Sequence, residues 1–206
     1  MYDNMTINNY SNGPIKVLLL LMLLLVTASI HLTAQGVVAK KANSFEAFIQ
    51  ASFKDEVKPQ HSFTYKKVGA LELKVYGFMP EKSSKKSPCV IYIHGGGWKG
   101  GNYKGSLKWS RYLSELGVVT FSVEYRLANE KLGIKPSTCL EDVKSAVRWV
   151  RENAERFNID TNRIAFSGNS AGAHLATACA TIDGFNAPGD DISISCKPNL
   201  LLLHAP

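Results

Sequence analysis

The amino-acid sequence predicts an α/β protein, a mostly parallel sheet with helices on both faces. Three observations lead there. "CVIYI" (residues 89–93) and "VVTFSV" (118–123) are near-continuous apolar runs rich in β-branched residues, as strands buried on both faces require. Between them "SLKWSRYLSELG" reads as a helix that stops on Gly117, a residue suited to a helix end. Strand and helix patterns then keep alternating to the end of the chain, which is the signature of βαβ units.

The elements follow in order. "LELKVYG" (71–77) alternates, with Leu71, Leu73 and Val75 on one face and Glu72, Lys74 and Tyr76 on the other, so it predicts a strand with one wet face. "SFTYKKV" before it is its expected hairpin partner, with His61 just ahead of the first strand, and "EKSSKKSP" (81–88) is a polar loop. After residue 123 a longer helix is expected. Leu140, Val143, Val147, Val150, Ala154 and Phe157 form one apolar stripe, with Pro136 near its start, where proline is tolerated. "RIAFSG" is a short strand, "SAGAHLATACAT" a small-residue helix, 183–198 a loop, and "NLLLLHAP" a last strand-like run.

The ends and the composition set bounds. With 206 residues, 45% hydrophobic and 20% charged, the chain can form one domain with a sizeable core. Lys16 precedes an apolar run over 17–26 that turns small and polar. That layout predicts a secretory signal peptide cleaved after Ala34, hence an exported protein, periplasmic or extracellular, with no stable membrane insertion after cleavage. An uncleaved anchor is the alternative. Net charge is +7, carried in short lysine doublets. These are not interleaved with aromatics and match no nucleic-acid reader motif, so no nucleic-acid partner is expected. Cys89, Cys139, Cys179 and Cys196 allow three complete pairings; free core thiols are the other reading. No Cys/His spacing suits a metal, and no cofactor is implied.

Two motifs carry chemistry. Gly168-Asn169-Ser170-Ala171-Gly172 is a G-x-S-x-G sequence placed where a strand turns into a helix, the context that makes its serine a nucleophile. Gly168 and Gly172 remove side chains from a tight turn, and the helix behind directs its positive end at the site. "YIHGGGW" (92–98) follows a buried strand. Its glycines bring bare N–H groups to a ligand, so those of Gly96 and Gly97 join that of Ala171 as oxyanion donors. His94 and Gly95 shape this loop. Trp98, Tyr103 and Trp109 could line a site. Trp109 reads as plain packing, and Trp98 stays open.

These motifs resemble the α/β-hydrolase fold in its hormone-sensitive-lipase-like branch, the bacterial carboxylesterase and acetyl-esterase group. "VEYRLA" (123–128) resembles that group's D-Y-R-L segment with Glu124 in place of Asp, and Asp142, Ala146 and Trp149 match its D-x-x-x-A-x-x-W helix. The resemblance covers residue 63 onward. With the leader, it divides the chain into a signal peptide over 1–34, a lead-in over 35–61 and a partial α/β-hydrolase domain over 62–206. It also implies a serine carboxylic-ester hydrolase that acts through an acyl-enzyme on small acyl esters, including carbohydrate-linked acetyl or feruloyl esters. Ser170 is then the nucleophile, while Asp142 and Trp149 are structural.

The base is harder to place. On this fold the order is Ser, then Asp or Glu, then His. His31 lies in the leader, His94 on the donor side, and His174 on the helix after Ser170, where it is expected to pack. The helix from Ser170 descends about 18 Å and the next strand returns, so His204 is expected at the edge that holds Ser170. Asp183, Asp190 and Asp191 follow the descending helix and are expected at the opposite edge, where they cannot orient it. His204 is therefore a weak candidate. The expectation is that the triad Asp and His are not in this chain, that the fold's C-terminal strands and helices are lacking, and that the chain as given turns over little ester and dissolves poorly. A prolyl-type peptidase fragment and a non-catalytic binding protein on the same scaffold are the alternatives.

Overall fold

The structure is a computed structural model that describes residues 56–205 apart from 82 and 83. The chain divides into two compact units, 1–55 and 56–206. The expected signal peptide and most of the lead-in lie outside the described residues.

The second unit holds a six-stranded sheet in the order β1-β2-β4-β3-β5-β6. Its strands are β1 (His61–Val68), β2 (Leu71–Phe78), β3 (Ser87–Ile93), β4 (Val119–Val123), β5 (Ile159–Asn169) and β6 (Leu200–His204). Three helices connect them: α1 (Leu107–Glu115), α2 (Pro136–Glu152) and α3 (Ala171–Thr181). The ladders β3/β4, β3/β5 and β5/β6 are parallel, while β1/β2 and β2/β4 are antiparallel. The hairpin and the mostly parallel sheet thus form as the patterning predicts.

The chirality of parallel crossovers sets the layers. The chain steps from β3 out to β4, then back across β3 to β5 and on to β6. Right-handed connections put α1 on one face, and α2 and α3 together on the other. Side chains on β4 read out the same split. Thr120 bonds the Ser110 carbonyl at 3.2 Å, and the Ser122 hydroxyl lies 3.5 Å from that of Ser110 on α1. Val119, Phe121 and Val123 turn the other way, into the core with Val143, Ala146, Val147 and Val150 of α2. Burial of each valine or phenylalanine among them stabilises the fold by about 1.5–3 kcal/mol relative to exposure. Phe121 also meets Trp149 and Phe157 at ring centroid distances of 6.3 and 5.3 Å.

Some boundaries differ from the sequence reading. α2 ends at Glu152, so Ala154 and Phe157 lie beyond it. They stay on the core because the chain turns under the sheet, with Asn158 in the left-handed region at φ 53°. β5 starts four residues before the run that signals it, pairing Ser87 with Ile159 ahead of an irregularity. His61 is the first residue of β1 rather than a residue ahead of it. α1 ends as its glycine predicts. Gly117 has φ 87°, and the Val118 N–H bonds the Leu113 carbonyl at 3.1 Å, which closes the last turn. All four cysteines are free, buried thiols. Burial raises the Cys139 thiol to about 11 and that of Cys179 to about 12.

Candidate active site

Ser170 is the single residue between β5 and α3, and it sits at φ 51°, ψ −121°. A serine held there is strained by about 1–3 kcal/mol and persists only where its surroundings determine it. Those surroundings are backbone. A Cβ on Gly172 would lie 2.0 Å from the Ile93 carbonyl oxygen, and one on Gly168 would lie 2.4 Å from the Gly172 carbonyl oxygen. The glycines of the motif therefore let β3, β5 and the first turn of α3 touch. Ser170 is exposed, and its N–H bonds the His204 carbonyl at 3.0 Å.

The glycine-rich loop packs directly on this elbow. A Cβ on Gly95 would meet the Asn169 carbonyl oxygen at 2.5 Å and the Ser170 Cβ at 3.4 Å. Gly96 has φ 117°, and its carbonyl accepts from the N–H groups of Lys99 and Gly100 at 3.2 and 2.9 Å. The loop thus folds back on itself. Among the described residues, no turn or loop hydrogen bond engages the N–H of Gly96, Gly97 or Ala171.

The segment after β4 braces that loop, a role the sequence reading did not assign. The Tyr125 hydroxyl donates to the His94 carbonyl at 2.7 Å, and the two rings stack at 4.2 Å. The Ala128 N–H donates to the Trp98 carbonyl at 2.7 Å. Arg126 anchors the segment to α2 by bonding both oxygens of the fully buried Asp142 carboxylate, which also accepts from Lys66 at 2.8 Å. Asp142 is structural, as expected. So is Glu124, whose carboxylate accepts from the Lys74 N–H and the Tyr76 hydroxyl, both at 3.3 Å. The signal was present in "VEYRLA", because a tyrosine beside a buried loop with free carbonyls is a ready donor.

The imidazoles divide. Burial lowers the His94 pKa below its usual 6.5, partly offset by its hydrogen bond to the Gly95 carbonyl. His174 is exposed with its ring 5.5 Å from that of Trp98, so it contacts the glycine-rich loop rather than packing in the core. Trp98 has φ 61°, a genuine outlier for a bulky residue. His204 reaches the elbow edge as the strand direction predicts, opposite Asn169 in the β5/β6 ladder. His204 lines a cavity of about 650 Å³ that lies on the α1 face, together with Tyr92, Ser167 and Leu202. Trp109 lines that cavity and is 41% exposed, so it is not the plain packing residue its sequence suggested. The cavity touches the elbow only through Gly168 and Asn169. Among the described residues, no imidazole bonds the Ser170 hydroxyl. The acids after α3 are held elsewhere, Asp183 by Lys197 at 3.0 Å and Asp190 by Arg148 at 2.8 Å.

Comparison with known proteins agrees with this fold. The BD-FAE family model matches residues 75–195. Carboxylesterase NlhH of Mycobacterium tuberculosis is 32% identical over 115 residues, which are 55% of this chain and 35% of that protein. Arylacetamide deacetylase of Bos taurus is 37% identical over 109 residues, 50% of this chain and 27% of that protein. Among solved structures, Thermogutta terrifontis esterase 2 phosphonylated by cyclosarin superposes with a TM-score of 0.67 at 31% identity, covering 71% of this chain and 56% of that one. The chain thus spans about a third or less of these curated relatives and about half of that esterase.

Proposed function

The chain belongs to the BD-FAE family and carries the α/β-hydrolase fold, and from that premise we propose that it acts as a serine carboxylic-ester hydrolase. The observation that carries this reading is the elbow itself: Ser170 exposed, strained and set against a glycine loop in which, among the described residues, no turn or loop hydrogen bond engages the N–H of Gly96 or Gly97. The Ser170 Oγ attacks the ester carbonyl carbon. The carbonyl oxygen becomes an oxyanion at the N–H groups of Gly96, Gly97 and Ala171, where preorganised donors are worth several kcal/mol. The alcohol leaves with the serine's proton, and water then releases the acid from the acyl-enzyme. The carrier of that proton is assigned to none of the described residues.

The leader pattern over 1–34 favours an exported enzyme, and a small acyl group carried on carbohydrate, acetyl or feruloyl, is the substrate class that export suggests. The nucleophile is tested covalently. The phosphonylated Thermogutta esterase supports the choice of a fluorophosphonate probe, with which a P–O bond to Ser170 forms as fluoride leaves. Peptide mass spectrometry should find the adduct on Ser170, and Ser170→Ala should remove it. An adduct on another serine, or labelling that survives in Ser170→Ala, refutes the assignment.

A further inference from the structure

The two edges of the sheet differ in exposed charge. At the edge that carries Ser170, the loops after β3 and β4 bear Lys99, Lys104, Lys131 and Lys135, all exposed, against the single exposed acid Glu130. Glu124 and Asp142 are committed to internal hydrogen bonds. At the opposite edge exposed charges of both signs mingle: Glu81, Glu152, Glu155, Asp183 and Asp191 stand with Lys85, Lys86, Arg156, Arg163 and Lys197, and Lys86 and Lys197 are paired with Glu155 and Asp183.

The lysine loops are joined to the oxyanion loop. Lys99 closes the turn on Gly96 through its N–H, and its ammonium lies 3.3 Å from Glu130, the residue before Lys131. All four cations are lysines. A lysine is a compact point charge on a flexible stem, whereas a single fixed carboxylate or phosphate is better held by the planar fork of arginine. Four such charges spread over two loops suit a ligand that presents carboxylates repeatedly along a chain.

We propose that this edge binds a polyuronate, so that the ester presented to Ser170 is carried on an acidic carbohydrate. The inference rests on the Ser170 reading only for where the ester sits; the binding face stands on the charge distribution. Sugar-ring carboxylates along the polymer lie on Lys104, Lys131 and Lys135, with Lys99 shared with Glu130. A one-signed patch beside a cleft raises local ligand concentration and is weakened by salt.

The test uses the full 206-residue chain and measures affinity rather than turnover. The probes are a galacturonate decamer, a neutral xylan oligomer of the same length, and a single-stranded DNA of equal charge, each at about 20 mM and about 300 mM salt. The decamer should bind at least about tenfold more tightly than the neutral oligomer at low salt, and should weaken at high salt. The triple variant Lys104→Glu/Lys131→Glu/Lys135→Glu should lose at least about tenfold of that affinity. A control with the same change in net charge at the far edge, Lys85→Glu/Lys86→Glu/Lys197→Glu, should lose less than about twofold. Equal losses in the two triples, equal binding of the neutral oligomer, or equal or tighter binding of DNA would each overturn the proposal. Ser170→Ala should bind the decamer as the unaltered chain does, so a failure of fluorophosphonate labelling leaves this measurement readable.

Discussion

Replacing Gly172 by alanine puts one methyl group where the sheet leaves no room. The new Cβ would stand 2.0 Å from the Ile93 carbonyl oxygen, 2.7 Å from that of His94 and 2.8 Å from the Ile93 carbonyl carbon. To reach even 3.0 Å from the first, something must move by about 1 Å, a shift that a close-packed interior resists. Neither side yields cheaply. Ile93 ends β3, which is paired on both sides by β4 and β5, and Gly172 is locked into the first turn of α3. Overpacking of this kind costs about 1–3 kcal/mol, and contacts made wholly of backbone place it at the upper end. The better helix propensity of alanine returns at most about 1 kcal/mol. The net expectation is about 2 kcal/mol of lost stability, read from urea denaturation followed by far-UV circular dichroism. Gly105→Ala is the matched control, since a Cβ there meets nothing within 4 Å, and it should change stability by no more than about 0.5 kcal/mol. If Gly172→Ala unfolds at the same urea concentration as the unaltered chain, the close approach of β3 to the elbow is wrong.

Three further outcomes follow from the site's surroundings. Asp142→Asn should destabilise by about 3–5 kcal/mol in the same urea assay, because Arg126 and Lys66 would lose a fully buried ionic partner. His94 is held below its usual pKa of 6.5 by burial, so below about that pH the unfolded chain binds a proton that the native chain does not. Its contribution is complete above the unfolded value and is lost as pH falls through the folded one. A His94→Gln variant should accordingly show a flatter fall of the urea midpoint between pH 7 and 5. Replacing His204 by alanine should leave the rate of fluorophosphonate labelling within about twofold, since its imidazole makes no bond to Ser170; a loss of about 10²-fold or more would make it the general base.

The parts legible in sequence were those set by backbone and periodicity. β3 and β4 were readable because strands buried on both faces must be apolar throughout, and the elbow because glycines were needed at both sides of Ser170. The end of α2 was not, because Ala154 and Phe157 keep the helical spacing of their apolar residues after the helix itself has stopped at Glu152. The first half of β5 was hidden in "IDTNR", where Thr161, Asn162 and Arg163 are exposed beside an irregularity in the β3/β5 ladder. Side-chain support was least legible. The Tyr125 hydroxyl on His94 and the Arg126 fork on Asp142 join segments 31 and 16 residues apart, and no local pattern signals such a pairing. Trp109 shows the converse: an aromatic on an amphipathic helix face normally packs, yet here it borders an open cavity.

The hydrogen bond from the Ser170 amide to the His204 carbonyl has a mechanical consequence. The strained turn at Ser170 is moored to β6, the strand that runs parallel beside β5. The nucleophile's backbone therefore borrows rigidity from a neighbouring rib of the frame and not from its own turn alone. Whatever loosens β6 slackens that mooring, and the Ser170 amide exchanges with solvent in step with the strand that holds it.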